Sequence, residues 1–310
     1  MTSGADTALI ALDWGTTSLR AYRLGCDGEL RERRESSLGI LNVTDGDFAA
    51  ALDTIAGDWR RAAPGAKLLA SGMIGSRQGW REVPYCAAPA GLDDLAAGLA
   101  PVLLPDGAML HLVPGLSMSG RDGMPDVIRG EETQILGVLE ESEADACCIL
   151  PGTHSKWARA GAGRIGDFAT FMTGELYALL KAHSILGRTM VEGEAAADAF
   201  ARGVAAGYAA DGLLHRLFSV RTLALSGALA AEDGADYLSG LLIGAELREG
   251  LAWLGGEAAD APLRLIGQGP LCARYGQALT GIGRAFLPVP PDAAARGLFR
   301  LALAAHLLDP

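Results

Sequence analysis

Apolar runs separated by short polar or glycine-rich turns divide the first part of the chain into extended and helical segments. The Asp27-Gly28 pair between two extended runs is typical of a hairpin turn. Apolar residues at helical spacing predict a helix over 47–62, and a further strand is predicted over 67–73. Before that helix, the pattern predicts three antiparallel strands, at 8–14, 18–24 and 29–36. A simple Rossmann fold does not open with three such strands.

The second half of the sequence repeats this succession of a strand, a tight turn, further strands and a helix. A short apolar strand at 147–150 runs into a Pro-Gly-Thr-His turn, and two more extended runs follow. The remaining segments are predicted as strands at 155–159, 164–172 and 263–267 and as helices at 174–183, 193–208, 212–218, 237–254, 271–280 and 292–308. Two similar halves predict a duplicated α/β architecture with a boundary near residue 143, giving domains 1–143 and 144–310.

Composition narrows the classes of function. Half of the 310 residues are hydrophobic and 20% are charged, as in an ordinary globular protein. The net charge is −11 and the basic residues form no cluster, so a nucleic-acid partner is not expected. A membrane partner is not expected either, because the sequence lacks a secretory signal and any stretch of about 18 apolar residues. Five cysteines without metal-ligand spacing favour reduced thiols and a cytoplasmic location. A homo-oligomer is left open.

The first candidate for chemistry is the segment from Asp13 to Ser18, which follows a predicted strand. Backbone N–H groups of the turn at Gly15, Thr16 and Thr17 suit a phosphate, and the two hydroxyls can donate to it. Asp13 is the candidate ligand for Mg²⁺, held through water. An isolated motif of this kind is equally typical of a simple hairpin. It is not a P-loop, since the chain lacks that motif.

Two later segments add similar chemistry. The turn after residue 150 repeats a glycine and hydroxyl residues and adds one of the chain's three lysines, with candidate phosphate ligands at Gly152, Thr153, His154 and Lys156. Lys156 as a solvated strand residue and His154 as a structural turn residue are the alternatives. Near the C-terminus, a strand ends in Gly267-Gln268-Gly269 and runs into a helix, which lets the backbone approach a flat or anionic ligand closely.

The order of the three motifs resembles the two phosphate motifs and the adenosine motif of the actin-like ATPase superfamily. Over residues 8 to about 282 the chain also resembles the 2-dehydro-3-deoxygalactonokinase family. The resemblance is carried by the segments DWGTTSLRAY (13–22), SGMIGSRQGW (71–80), VIRGEETQILG (127–137), PGTHSKW (151–157), FMTGELYALL (171–180) and YLSGLLIGAEL (237–247). It implies a two-domain actin-like fold with a duplicated mixed sheet and an interdomain cleft. It also implies phosphorylation of the terminal hydroxyl of 2-dehydro-3-deoxy-D-galactonate by ATP with Mg²⁺.

The resemblance also indicates where a catalytic base would lie. Related sugar kinases place a carboxylate at the start of the last helix of the first domain, predicted here over 130–140. Glu131 is the first candidate, Glu132 the second and Asp126 the third. Acidic residues in a first helical turn are also common simply because they favour the helix dipole. The family usually has Asp where this chain has Glu.

The substrate implied by the resemblance is a sugar acid, so an arginine is expected to bind its carboxylate. Arg77 is the first candidate, with Arg129 and Arg81 as alternatives, and Gln78 and Trp80 lie in the same loop as Arg77. The Trp80 ring is suited either to packing against the carbon atoms of the sugar or to packing in the core. Two other functions stay open: a sister sugar or keto-sugar-acid kinase of the same fold, and a regulatory actin-like ATPase without catalysis.

Overall fold

A computed structural model describes residues 6–120, 123–139, 145–209, 211–256, 263–267 and 269–309. The chain divides into two compact units, of which the first comprises Met1–Ala144, Ala160–Phe168 and Asp292–Pro310 and the second Asp145–Arg159 and Ala169–Pro291. The last helix therefore belongs to the first unit. The domain boundary predicted near residue 143 lies outside the described residues and stays a prediction.

Strands predominate in the first half of the described chain and helices in the second. The strands are β1 Leu9–Trp14, β2 Leu19–Leu24, β3 Leu30–Ser36, β4 Lys67–Gly72, β5 Cys86–Ala87, β6 Ala90–Gly91, β7 Ala100–Leu103, β8 Met109–Leu112, β9 Leu116–Ser119, β10 Pro125–Ile128, β11 Ala146–Leu150, β12 Ser155–Gly161, β13 Arg164–Phe171, β14 Leu263–Leu265 and β15 Phe286–Pro288. The helices are α1 Phe48–Ala62, α2 Leu92–Ala97, α3 Glu131–Val138, α4 Thr173–His183, α5 Ala197–Tyr208, α6 Leu213–Leu217, α7 Ser219–Leu225, α8 Gly234–Leu254, α9 Gly269–Gly281 and α10 Ala293–Ala304.

The first unit is built on a six-stranded mixed sheet in the order β3-β2-β1-β4-β8-β7. Strands β1, β2 and β3 form the predicted antiparallel meander, and β4 runs parallel to β1 with Asp13 opposite Ser71. Because β1 is buried along almost its whole length, its side chains are apolar on both faces. Asp13, next to the carboxyl end of β1, is the one charged residue of this strand.

Helices pack on this sheet. On α1, Phe48, Leu52 and Trp59 join the strand residues in the main core of the unit. Helix α10 packs against α3 through two glycines: a Cβ on Gly137 would lie 2.1 Å from the Ala293 carbonyl oxygen, and one on Gly297 would lie 1.8 Å from that of Thr133. This close crossing fixes α3, which carries Glu131 and Glu132, against the last helix of the chain.

The sheet of the second unit repeats the strand order of the first. Its strands follow the order β13-β12-β11-β14-β15, which matches β3-β2-β1-β4-β8 position by position. Strands β11, β14 and β15 are parallel, as are β1, β4 and β8. The turn between β1 and β2 therefore corresponds to the turn between β11 and β12. The repeated order confirms the predicted duplication.

Helix α8 is the central helix of the second unit and is buried over most of its length. It crosses α5 at glycines on both helices: a Cβ on Gly203 would lie 2.3 Å from the Tyr237 carbonyl oxygen, and one on Gly244 equally close to that of Val204. The Gly-Leu-Leu-Ile-Gly stripe of α8 thus serves core packing. In the described part of the chain, no helix combines the length and apolar character needed to cross a membrane.

Most predicted elements are confirmed to within a few residues, with three differences. The helix predicted from residue 193 begins at Ala197, because the Ala196 N–H donates to Asp236 Oδ2 at 2.6 Å in a non-helical conformation. The helix predicted to 308 ends at Ala304. Helix α7 and the short strands between residues 86 and 128 were not predicted. The predicted end of α3 at Glu140 lies outside the described residues.

Candidate active site

The end of β1 and the turn after it form the first part of the candidate site. The Gly15 N–H donates to the Ser18 carbonyl at 2.9 Å and closes the turn, while the exposed side chains of Thr16 and Thr17 face solvent. Two further backbone hydrogen bonds stabilise the turn. The Ile40 and Leu41 N–H groups donate to its Gly15 and Thr16 carbonyl oxygens at 3.0 and 3.1 Å. These two carbonyl oxygens are thereby already hydrogen-bonded, and the exposed hydroxyls of Thr16 and Thr17 stay available to an anion.

Asp13 is nearly buried, with 12% of its side chain exposed. Burial raises the pKa of its carboxyl group, and Arg20 opposes that shift at an Nη1–Oδ2 distance of 3.4 Å. Arg20 is shared between two carboxylates, because its Nε also donates to Glu35 at 3.1 Å. A carboxylate that is poorly hydrated and only loosely paired can gain from a cation.

The carboxyl end of β4 lies beside this turn and meets the start of α3. Gly72 has a φ of 93°, and a Cβ there would lie 2.7 Å from the Trp14 carbonyl oxygen. The Thr133 hydroxyl donates to the Gly130 carbonyl at 2.7 Å and lies 3.3 Å from Ser71 Oγ. The N-terminal turn of α3 is thereby attached to the strand that pairs with Asp13.

The two glutamates at the start of α3 have different environments. Glu131 is half-buried, and its Oε2 accepts the Arg129 N–H at 2.9 Å. Glu132 is fully buried, and its Oε2 accepts the Gly130 N–H at 2.7 Å, while its Oε1 has no hydrogen-bond partner among the described residues. Burial, reinforced by the nearby Glu131 charge, raises the pKa of Glu132 to about 8. Asp126 caps the Val127 N–H at 2.7 Å on strand β10.

The candidate arginines also differ. Arg77 is exposed and lies 3.5 Å from Glu82, and Arg81 is exposed and donates to the Pro101 carbonyl at 2.5 Å. Arg129 is buried: its Nη2 donates to the Val83 carbonyl at 2.8 Å, and its guanidinium group stacks 4.2 Å above the Tyr85 ring. Its Nε and Nη1 have no hydrogen-bond partner in the described part of the chain.

Of the other two predicted loop residues, Gln78 is exposed and Trp80 is half-buried. The Trp80 ring stacks on Phe48 with a centroid distance of 5.9 Å and meets Trp14 edge-on at 6.4 Å. Trp80 therefore packs against the core of the first unit, which is the alternative that its sequence context left open.

In the second unit, the turn from Pro151 to His154 is held against the start of α4. A Cβ on Gly174 would lie 2.4 Å from the Gly152 carbonyl oxygen, and the Glu175 N–H donates to the Thr153 carbonyl at 2.9 Å. His154 Nε2 lies 2.5 Å from Glu175 Oε2, and both side chains are exposed. Lys156 is instead buried on β12, and its Nζ donates to Thr170 Oγ1 at 2.8 Å.

The late glycine motif lies next to this turn. The Ile266 N–H donates to the Ile149 carbonyl at 2.9 Å, so β14 ends beside β11. A Cβ on Gly267 would lie 4.0 Å from Pro151 Cδ, and both Gly267 and Gly269 have positive φ, 140° and 77°. Glycine is suited to both conformations. Gln268 between them lies outside the described residues.

One buried group near this turn was not predicted to have a role. Glu246 on α8 is 3% exposed and accepts hydrogen bonds from Ser155 and Trp157. Helix α8 also carries Asp236, Arg248 and Glu249, so the sequence alone did not distinguish Glu246 from its charged neighbours.

The comparisons with known proteins identify the family. The sequence model of a family described as 2-keto-3-deoxy-galactonokinase matches residues 13–301. The 2-dehydro-3-deoxygalactonokinase of Escherichia coli (strain K12) is 36% identical over 285 residues, which cover 92% of this chain and 94% of the relative. The chain belongs to this family. As a member of the 2-keto-3-deoxy-galactonokinase family it is a kinase by descent, and the resemblance seen in the sequence motifs is confirmed.

Solved structures support the same assignment for the fold. A crystal structure from Sinorhizobium meliloti that carries this family's name matches with a TM-score of 0.85 and 36% identity, over 96% of this chain and 98% of that chain. An activator of 2-hydroxyisocaproyl-CoA dehydratase from Clostridium difficile, with bound ADPNP, matches with a TM-score of 0.50 and 12% identity over 96% and 95% of the two chains. The match to the activator shows the fold alone. That fold is the predicted actin-like α/β fold.

Proposed function

We propose that the protein transfers the γ-phosphoryl group of ATP to the terminal hydroxyl of 2-dehydro-3-deoxy-D-galactonate and forms the 6-phosphate in D-galactonate breakdown. The observation that carries this proposal is the family match over residues 13–301. The repeated sheets support the ATP part of it, because the same strand order places a glycine–hydroxyl turn after the first strand of each unit. In the reaction, the substrate oxygen bonds to phosphorus, the bond to the ADP oxygen breaks, and the hydroxyl proton passes to a base.

The nucleotide phosphates are assigned to both turns. In the first unit the N–H groups and hydroxyls of Thr16 and Thr17 bind phosphate, and Gly15 closes the turn that presents them through its N–H to the Ser18 carbonyl. In the second unit the ligands are Gly152, Thr153 and His154. Gly267 and Gly269 let the backbone approach the adenosine. Lys156 is the weaker candidate, since its ammonium group is already bonded to Thr170.

Asp13 would hold Mg²⁺. The described residues contain no group of three or more His, Cys, Asp or Glu side chains that could hold a metal ion. A single carboxylate nevertheless fits Mg²⁺, which in phosphate sites is held by one or two carboxylates, waters and the nucleotide itself. The poorly hydrated carboxylate of Asp13 is consistent with that role. When bound, the ion neutralises charge that develops on the transferred phosphoryl group.

We assign the base to Glu131. A base has to be ionised and has to reach the substrate hydroxyl. Glu132 meets neither requirement: with a pKa of about 8 it holds a proton at neutral pH, and it is fully buried. Glu131 is half-buried and can reach the substrate better. Glu132 then serves to fix the first turn of α3 through the Gly130 N–H. Asp126 is the remaining candidate.

Arg129 is the arginine that we assign to the substrate carboxylate. A buried guanidinium group with unsatisfied N–H groups is costly unless a partner completes it. Arg129 has two such nitrogens, Nε and Nη1, without a partner among the described residues, whereas Arg77 is solvated. Arg77 and Gln78 contribute from the neighbouring loop, and Trp80 supports that loop by packing against Phe48. We further place the protein in the cytoplasm, with the sugar acid and ATP as its partners.

The chemical identity of the product tests this proposal. Incubation with Mg-ATP and 2-dehydro-3-deoxygalactonate should give one product whose mass has increased by a single phosphoryl group. Its phosphorus signal in NMR should couple to the protons of the terminal methylene carbon. A phosphate on any other carbon would refute the assigned acceptor while retaining the kinase.

A further inference from the structure

Glu246 is the buried carboxylate for which the catalytic assignment has no role. It lies on the buried part of α8, and 3% of it is exposed. Removing a carboxylate from water is costly unless hydrogen bonds replace its hydration. A carboxylate retained at such a position therefore has to have several donors.

The donors come from three other elements. Ser155 Oγ and Trp157 Nε1, both on β12, donate to Glu246 Oε1 at 2.7 and 2.8 Å. The Tyr275 hydroxyl, on α9, donates to Oε2 at 2.5 Å. The Thr173 side chain, at the start of α4, forms a further hydrogen bond with the carboxylate. An ionised carboxylate only accepts, so it matches a surrounding set of donors. Burial raises the pKa of Glu246, and these donors oppose that rise.

Three of these donors lie on elements that adjoin the segments assigned to the nucleotide in the proposed function. Ser155 directly follows the turn from Pro151 to His154. Thr173 begins the helix whose Gly174 packs against Gly152 in that turn. Tyr275 lies on α9, the helix that begins at Gly269 of the late glycine motif. One carboxylate thus connects the second phosphate turn with the helix that follows the adenosine motif.

We propose that Glu246 is a positioning residue for the nucleotide, which holds the second phosphate turn through Ser155 and Thr173 and anchors it to α9 through Tyr275. A turn whose backbone N–H groups bind phosphate gains affinity when its orientation is fixed before binding. Glu246 does not touch the nucleotide and acts through Ser155. This inference rests on the proposed function, because it assumes that the turn binds the phosphates of ATP.

The test uses the full chain and the variants Ser155→Ala, Glu246→Gln and Ser219→Ala. Ser219 is the matched control, because its hydroxyl bonds to the Tyr237 hydroxyl at 3.0 Å in the same unit and away from the phosphate turn. Calorimetric titration with ADP should show binding weakened about tenfold in Ser155→Ala and in Glu246→Gln, comparable with the loss of one hydrogen bond. Ser219→Ala should bind ADP as the unchanged chain does. The KM for the sugar acid should stay within about twofold in all three variants.

A purely structural role would give a different result. ADP affinity would then stay unchanged in Ser155→Ala while its melting temperature fell as in Ser219→Ala, and that result would overturn the inference. If Glu246→Gln does not fold, Ser155→Ala still decides the question. Failure of the proposed function is distinguishable, because the unchanged chain would then bind no ADP at all.

Discussion

Gly130 lies against Gly72, so that backbone packs on backbone where the start of α3 meets the end of β4. A Cβ on Gly130 would lie 3.1 Å from Gly72 Cα, and the φ of Gly130 is 110°. A side chain at residue 130 would be strained by its backbone and crowded by its neighbour. This contact sets the position of Glu131 and Glu132 relative to the strand that pairs with Asp13.

Substitution of this glycine should therefore affect both stability and catalysis. In Gly130→Ala the free energy of unfolding should fall by about 2 kcal/mol, because of the positive φ and the close contact. The kcat should fall as well, since the first turn of α3 has to move. Denaturant unfolding and steady-state kinetics measure the two effects.

Gly107→Ala is the matched control. Gly107 also has a positive φ, of 86°, but an added Cβ would have no neighbour within 4 Å among the described residues. It should lose about 1 kcal/mol from backbone strain alone and keep its activity. Equal losses of activity in both variants would show that the contact with Gly72 has no role in the site.

Asp13→Asn should remove most of the activity without unfolding the protein. The amide keeps the size of the side chain but loses the charge that would hold Mg²⁺, so kcat should fall by about 100-fold or more. A magnesium titration of the rate should show a weaker dependence on the ion. Glu35→Gln is the control, because Glu35 is the other partner of Arg20, at 3.1 Å. A variant at Asp13 that kept its rate within about twofold would contradict the metal assignment.

The raised pKa of Glu132 predicts how stability depends on pH. Between about pH 5 and its folded pKa of about 8, folded Glu132 keeps a proton that the unfolded chain has released. The stabilisation that protonated Glu132 contributes to the folded protein is therefore present at low pH and is lost as the pH rises towards 8. As the pH rises over that range, the free energy of unfolding of the unchanged chain should fall faster than that of Glu132→Gln, by about 1.4 kcal/mol per pH unit. Urea unfolding at several pH values measures the difference.

Glu131→Gln provides the complementary control. It should keep a pH slope of the same sign, because Glu132 is intact, but the slope should end at a lower pH, because the Glu131 charge that helps to raise the pKa of Glu132 is gone. It should also lose most of its kcat if Glu131 is the base. Parallel pH slopes in the unchanged chain and Glu132→Gln would show that Glu132 is ionised in the folded protein.

Arg129→Lys should weaken binding of the sugar acid selectively. Lysine keeps the charge but not the planar group with several fixed N–H donors. We expect the KM for the sugar acid to rise about 10- to 100-fold while the KM for ATP stays within about twofold. Arg77→Lys, at an exposed position, should have a smaller effect. Unchanged KM values in variants of Arg129, Arg77 and Arg81 would contradict an arginine-bound carboxylate.

Local patterns in the sequence predicted much of the fold, because they depend on neighbouring residues. The meander through Asp27-Gly28, the strand 67–73 and the helix 47–62 all follow from turn residues and apolar spacing. The strands between residues 86 and 128 are two to four residues long, too short for a reliable pattern. The start of α5 is set by a distant contact to Asp236, which local spacing does not encode.

The candidate site was predicted in part. The turn at Gly15 and the residues Glu131 and Glu132 were found because they belong to continuous motifs. What separates the two glutamates is burial, and burial depends on tertiary packing that neighbouring residues in the sequence do not encode. The contacts of Glu246 join residues 155 and 275, which are far apart in sequence, so local patterns do not indicate them.

The most direct test of the central claim is an ADP-release assay with Mg-ATP and a panel of acceptors. The panel contains 2-dehydro-3-deoxygalactonate, its gluconate epimer, neutral hexoses and pentuloses. We predict rapid ADP release with 2-dehydro-3-deoxygalactonate, near-background release with the neutral sugars, and loss of that release in Asp13→Asn. Release with neutral sugars alone would contradict the proposed substrate, and tight ATP binding without acceptor-dependent release would contradict the kinase function.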